Sequence, residues 1–217
     1  HEQLLGAARS LLDRLPAPDG SPLTVLDLGC GSGASTQALL QEWRARGGAA
    51  DRLAVTGVDM SEGMVAQARA KSWPAGVDLV VSDAVAHLES LPADSVDGIL
   101  ACYLLRNVPD RERLVREMAR VLRPGGAVVI HDYSVKGSTR ARAIWAGICH
   151  GVIIPLAVVK GSDVPLHRYL YTSVRDFDSV ARICERLLGA GLVDVRHRTY
   201  AGWQRGVVHT VGGSSPS

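Results

Sequence analysis

The sequence predicts an α/β domain: a mostly parallel, twisted sheet with helices on both faces, ending in an antiparallel hairpin. Three observations carry this. Short apolar runs alternate with helical patterns through the first 130 residues, the first run ends in glycines that open a helix, and the last two runs are separated by a short linker. Strands separated by helices make βαβ units and hence a parallel sheet, whereas strands joined by a few residues pair antiparallel.

Leu23 to Leu28 is the first strand, followed by a helical pattern through Ala38, Leu39, Leu40 and Trp43. Leu53 to Val58 is the second strand and Glu62 to Ala70 the second helix. Val77 to Val81 and Val96 to Ala101 read as the third and fourth strands. Asp110 opens the clearest helix, in which Leu114, Met118, Val121 and Leu122 share one face and Arg and Glu side chains occupy the other. Pro124-Gly125-Gly126 stops it, and Ala127 to Ile130 is the fifth strand. A helix around Ser179 to Leu188 ends at Gly189 and Gly191. Leu192 to Arg198 and Gly206 to Val211 form the hairpin across the linker AGWQ, and the polar tail GGSSPS is expected to fray. Residues 1–217 read as one Rossmann-like domain.

Hydrophobic residues make up 47% of the 217 residues and charged residues 21%, which provides for a sizeable core and argues against disorder. A formal charge of +2 is too small to argue for nucleic acid as a partner. Cys30, Cys102, Cys149 and Cys184 are dispersed, with no CxxC pair and no histidine cluster at metal spacing. That pattern predicts reduced thiols in a cytoplasmic protein, without a metal site or a disulfide framework. The chain starts at His1, so the native N-terminus is expected upstream and a cleaved targeting signal stays open. The apolar stretch from Ala143 to Val159 is interrupted by His150 and Pro155 and weakened as a helix by Gly147 and Gly151. It reads as a buried or surface-dipping segment rather than a membrane span.

The chemistry gathers at the carboxyl ends of the strands. Gly29-Cys30-Gly31-Ser32-Gly33 between a strand and a helix is a nucleotide-binding arrangement, because glycines permit a tight turn and close approach of a ligand to a helix N-terminus. Gly29-x-Gly31-x-x-Ala34 also satisfies the loose dinucleotide fingerprint. Asp27, two residues before Gly29, weighs toward S-adenosyl-L-methionine. A carboxylate repels a pyrophosphate but favours a sulfonium and an ammonium, although a carboxylate that merely caps the loop suits either cofactor. Asp59, next to Met60, ends the second strand where an acid can accept from both ribose hydroxyls. Asp83, beside Ala84, ends the third and is placed for an adenine amino group, or simply as a helix N-cap.

These residues resemble those of the class I S-adenosylmethionine-dependent methyltransferases, and within them the ubiquinone/menaquinone C-methyltransferase family. The general likeness lies in VLDLGCGSG, VTGVDMSEGMVAQAR, VVSDA and RVLRPGGAVVIHDYS. The narrower one lies in LLRNVPDRERLVREMARVLRPGG and in VIIPLAVVKGSDVPLHRYLYTSVRDF, and together they cover nearly the whole chain. The resemblance implies cofactor contacts at Ser32, Asp59, Asp83 and Ala84, and a place near the cofactor for Cys102. It also implies a quinol-side role for Arg106 and Asn107 and a pocket wall at Tyr169. The glycine loop GCGSG and the strand end HDYS depart from the quinone enzymes. A tailoring enzyme with another phenolic or polyketide-like acceptor would look similar. The family's N-terminal segment, which covers bound cofactor, is not expected here.

On this reading Arg106 lowers the pKa of an acceptor hydroxyl by charge or acts through a water, which Asn107 orients. The alternative is that Arg106 pairs with a carboxylate and Asn107 caps a turn. Among the other base candidates, His87, His131, His150 and His167, the two to examine first are His131 and His167, with Asp132 either orienting the His131 imidazole or beginning a turn. Tyr133, His167 and Tyr169 are the substrate-side residues. The insert around 134–175 is expected to fold over the crevice as a greasy pocket, or to serve as core packing or a dimer contact. A lipophilic quinol acceptor leaves room for peripheral membrane contact. Two other functions compete: an NAD(P)-dependent oxidoreductase, against which Asp27 and the lack of a Tyr-x-x-x-Lys pair weigh, and a cofactor-binding protein without transfer activity.

Overall fold

The computed structural model describes residues 2–16, 21–160 and 163–217. Helix α1 (Glu2–Leu12) leads into β1 (Leu23–Leu28), α2 (Ala34–Ala45), β2 (Leu53–Asp59), α3 (Glu62–Arg69) and β3 (Val77–Val81). Then come α4 (Ala84–Ser90), β4 (Val96–Cys102), α5 (Arg111–Val121) and β5 (Leu122–Tyr133). Beyond β5, α6 (Thr139–Ile148) continues through a π-helical stretch at Cys149–Ile153 into α7 (Ile154–Val159), followed by α8 (Val164–Asp176) and α9 (Val180–Gly189). Strands β6 (Val193–Thr199) and β7 (Val208–Ser214) end the chain.

The strands form one sheet in the order β3-β2-β1-β4-β5-β7-β6. Strands β1 to β5 run parallel, and β7 lies antiparallel to both β5 and β6. The hairpin therefore forms as expected but enters with its second strand innermost, leaving β6 at the edge. The strand order reverses between β1 and β4, and in open α/β sheets the crevice at such a switch point takes the ligand. One sheet face packs Leu88 of α4, Leu114 and Met118 of α5 and Leu187 of α9 against Ile99 and Val128. The other packs Ala8 and Leu11 of α1 and Leu39 of α2 against Val25, Leu100 and Val129. A third cluster, with Val135, Ala141, Trp145, Cys149 and Val174, follows the end of β5.

The structure corrects several element boundaries. Leu122 does not complete the α5 face: it begins β5, paired with Val96, and Pro124-Gly125-Gly126 lies within that strand at a register shift. A bulge tolerates Pro124, which has no N–H to donate. The tail is not frayed. β7 runs to Ser214 against Ala127, and Ser215 N–H donates to the Gly126 carbonyl at 2.8 Å. Helices α1 and α4 add to the predicted elements: α1 turns Ala7, Ala8, Leu11 and Leu12 onto the sheet, an amphipathic face, and the short α4 buries Ala84, Val85 and Leu88.

Candidate active site

Two turns meet at the switch point. The loop after β1 and the turn after β4 touch, since a Cβ on Gly29 would lie 3.1 Å from Leu104. Gly29, Gly31 and Gly33 have φ of 72°, 54° and 86°, a left-handed path that glycine takes without strain. The amides of Gly29 and Cys30 donate to the Val58 carbonyl at 2.7 and 3.1 Å. Asp59 ties the loop to β2: Oδ2 accepts from the Gly31 amide and Oδ1 from the Ser61 amide, both at 2.9 Å. Each of those oxygens retains a second lone pair for a ligand hydroxyl. Helix α2 then starts from Gly33 without a side-chain cap.

Asp27 lies fully buried beneath the loop. Its Oδ2 accepts from Ser35 Oγ at 2.7 Å and Thr36 Oγ1 at 2.6 Å, while its buried Oδ1 has no hydrogen-bond partner. Burial pushes the carboxyl up to about 6, against the pull of the two hydroxyls. An unmet buried acceptor costs about 1–3 kcal/mol, more when charged, so this oxygen is where an incoming donor gains most. That orphan acceptor, under a loop in which three of five residues are glycine, fits a cationic ligand group.

The remaining cofactor-side residues divide into surface and core. Ser32 and Met60 are accessible beside the loop. Asp83 caps α4, its Oδ1 accepting from the amides of Val85 at 2.9 Å and Ala86 at 3.0 Å, and Ala84 is buried at the first turn. Two cysteines expected near the cofactor are buried next to Asp27. Cys30 turns its thiol into a cluster with Val65, Ala68 and Leu79, and its amide is already taken by Val58. Cys102 is buried with Leu39, Leu100 and Val129, where burial raises its thiol pKa. Both are apolar core positions because the strand pleat and the loop turn their side chains inward.

Across the switch point, Tyr103 follows β4 at φ 59°, an uncommon conformation for a bulky residue. Its ring stacks on Tyr133 at 5.1 Å, and Tyr133 in turn contacts Trp145 of α6 at 5.2 Å. Arg106, in a 3₁₀ turn (Leu105–Asn107), places Nη1 2.6 Å from Asp132 Oδ1 and 3.1 Å from the Tyr103 carbonyl. Both partners are nearly buried, and Arg106 Nε has no acceptor. Asn107 is exposed; its Nδ2 donates to the Tyr103 carbonyl at 2.9 Å and its Oδ1 accepts from Tyr169 of α8 at 3.1 Å. The carboxylate-paired alternative for Arg106 is thus the arrangement found.

His131 departs from its expected place at the crevice. It is fully buried under α1, with Nδ1 2.9 Å from Thr210 Oγ1 and Nε2 3.2 Å from the Tyr103 hydroxyl. Burial, helped by Arg198 and His209, lowers its pKa to about 4, so it is a neutral structural imidazole. Asp132 does not orient it, because successive strand residues face opposite sides of a sheet. His167 places Nδ1 2.7 Å from the Asp163 carbonyl one turn back in its own helix, a local contact that does not join it to the crevice.

Four neighbours escaped the sequence reading. Met64 Cε, Trp73 Cζ2 and Leu104 crowd the loop, the first two lying 3.2 and 2.7 Å from where Cβ atoms of Gly31 and Gly33 would sit. The fourth, Tyr103, also hydrogen-bonds Gln3 Oε1 at 2.7 Å. Met64 had a usable signal, since the Ser61 side chain caps α3 at the Met64 amide and so fixes that helix's register. The other three depend on contacts with no sequence pattern.

A family profile described as a methyltransferase domain matches residues 26–130. The chain is 33% identical over 150 residues to the ubiquinone/menaquinone biosynthesis C-methyltransferase of Geobacter sulfurreducens, covering 67% of this chain and 57% of that protein. It is 32% identical over 182 residues to the demethylmenaquinone methyltransferase of Mycolicibacterium paratuberculosis, covering 82% and 71%. Among solved structures, a SAM-dependent methyltransferase from Archaeoglobus fulgidus superposes with a TM-score of 0.65 at 16% identity, over 99% of this chain and 94% of that one. The chain spans less than two thirds of the first of these relatives.

Proposed function

This chain belongs to the methyltransferase family that includes the demethylmenaquinone methyltransferases, and on that premise we propose that it transfers a methyl group from S-adenosylmethionine to a small, lipophilic aromatic acceptor of the quinol or phenol kind. Membership sets aside the nicotinamide alternative. S-adenosylmethionine supplies, when bound, an electrophilic methyl group on a sulfonium, so the protein's tasks are alignment, exclusion of water and removal of a proton. Asp27 Oδ1 suits the ammonium of this cofactor, and the Asp59 carboxylate suits its ribose hydroxyls.

The observation that carries the acceptor reading is the contact between Asn107 and Tyr169. It joins a polar, accessible carboxamide, on the turn whose Leu104 meets the glycine loop, to a helix of the apolar insert. Asn107 is thereby the group that holds an acceptor hydroxyl, or the water that takes its proton, at the crevice rim. A guanidinium offers no acceptor lone pair, so Arg106 is not the proton acceptor. Held by Asp132, it is a positioning residue that fixes the turn carrying Asn107.

The test is incubation with methyl-labelled donor and a panel of phenols and demethylated quinols, with and without an apolar chain. Label in the chain-bearing quinols supports the proposal. Label only in polar phenols moves the acceptor to a tailoring substrate, and tight cofactor binding with no transfer at all leaves a binding protein.

A further inference from the structure

The rod formed by α6, the π-helical stretch and α7 is long and apolar enough, by length and composition, to cross a membrane. One stripe of it, Ala141, Trp145, Cys149 and Ala157, is buried in the third core cluster or beside it, so the rod lies along the protein. Its far end is uncovered. Val159 is 83% exposed and Val158 61%, with Val152 and Leu156 also open, and Leu166 of α8 is 58% exposed. Apolar groups clustered like this mark a surface that meets another phase or partner.

Charge identifies which. Between residues 136 and 176 stand Lys136, Arg140, Arg142, Lys160, Arg168 and Arg175 against only Asp163 and Asp176. Both acids are engaged: Asp163 Oδ1 caps α8 at the Leu166 amide, 3.0 Å, and Asp176 pairs with Arg175 at 2.7 Å. Arg175 is itself tied to Asp176, which has Lys136 and Arg142 near it at the other end of the rod, so the cations flanking the exposed end are Lys160 and Arg168. Lys160 directly follows Val159, and Arg168 lies two residues past Leu166.

We propose that the α7–α8 hairpin docks on an anionic lipid bilayer surface, its exposed valines and Leu166 entering the acyl boundary while Lys160 and Arg168 meet headgroup phosphates. Amphipathic helices with basic flanks bind in the interface plane in this way. A second copy of the same face would set like charges against each other, which disfavours a symmetric dimer here. Because Tyr169 on α8 holds Asn107, docking would bring the crevice rim to the lipid surface. That consequence rests on the proposed acceptor; the docking itself does not.

Flotation with equimolar phosphatidylcholine–phosphatidylglycerol vesicles and with pure phosphatidylcholine vesicles, in the absence of any methyl acceptor, tests it. The protein should float with the anionic vesicles and release in high salt. K160Q/R168Q should weaken binding about tenfold or more, and V159D/L166D should abolish it. Both variants should retain the parent's affinity for S-adenosylhomocysteine and its melting temperature, since the changed side chains are exposed. No flotation of the parent, equal binding to neutral vesicles, or a parent dimer that V159D/L166D converts to monomer would each overturn the proposal. Failure of the acceptor panel with vesicle binding intact would instead strike only the proposed reaction.

Discussion

Arg106 Nη1 and Asp132 Oδ1 stand 2.6 Å apart between the turn after β4 and the end of β5, with both side chains nearly dry. Burial raises the Asp132 pKa, and the Arg106 charge and hydrogen bond oppose that rise. The pair ties the turn bearing Asn107 to the sheet, and the same Arg106 guanidinium lies over the Tyr103 and Tyr133 rings at 5.6 and 5.9 Å.

Arg106→Ala should therefore destabilise the protein by about 3–5 kcal/mol, because it strands a buried carboxylate. Adding Asp132→Asn should recover a large part of the loss by removing the charge. Urea unfolding of the parent, the single variant and the double variant measures this. A single variant as stable as the parent would show the pair to be well hydrated.

Asp27 ionises in the folded protein only at about 6, above its ordinary 3.8, chiefly through burial. A raised carboxyl pKa means that the unfolded chain releases this proton first, so stability declines as pH rises through that interval. Asp27→Asn should consequently melt higher than the parent near pH 8, with the gap closing as pH falls toward about 4. The same variant should bind S-adenosylmethionine more weakly, measured by calorimetric titration. An unchanged affinity would remove the orphan oxygen from the cofactor site.

His131 behaves in the opposite sense. Its folded pKa, about 4, lies below the ordinary 6.5, so the unfolded chain takes up a proton first as pH falls. Stability from this group is present above about 6.5 and is lost on descending toward 4. His131→Gln should flatten the acid limb of a stability–pH curve. The pH–rate profile should show no inflection attributable to this imidazole; one that vanishes in the variant would restore it as a base.

The loop glycines should differ in the kind of damage they report. Gly33→Ala places a Cβ 2.7 Å from the Trp73 ring at φ 86°, and should cost about 1–2 kcal/mol from backbone handedness alone, with the clash added. Gly31→Ala meets only the flexible Met64 Cε at 3.2 Å, so its stability loss should be smaller while cofactor affinity still falls. Thermal melts and titration of both variants separate the two effects. Equal stability losses would contradict it.

Much of this protein follows from local pattern. The strands from Leu23, Leu53, Val77 and Val96, the glycine loop and the acids at Asp27, Asp59 and Asp83 could be read in order, because strand runs, glycine turns and cap residues are set by neighbours in the chain. Pairings between distant segments could not. Arg106 and Asp132 are 26 residues apart, Asn107 and Tyr169 are 62 apart, and no periodicity connects them. Which way Cys30, Cys102 and His131 point depends on which sheet face each strand position meets, and that is decided when α1 and α2 pack. The sequence by itself determined the βαβ order and the glycine loop. Only the tertiary structure decided that Asp27 keeps an unmet oxygen, that His131 is sealed, and that the apolar insert leaves its far end open, since burial is a property of the assembled layers rather than of any segment.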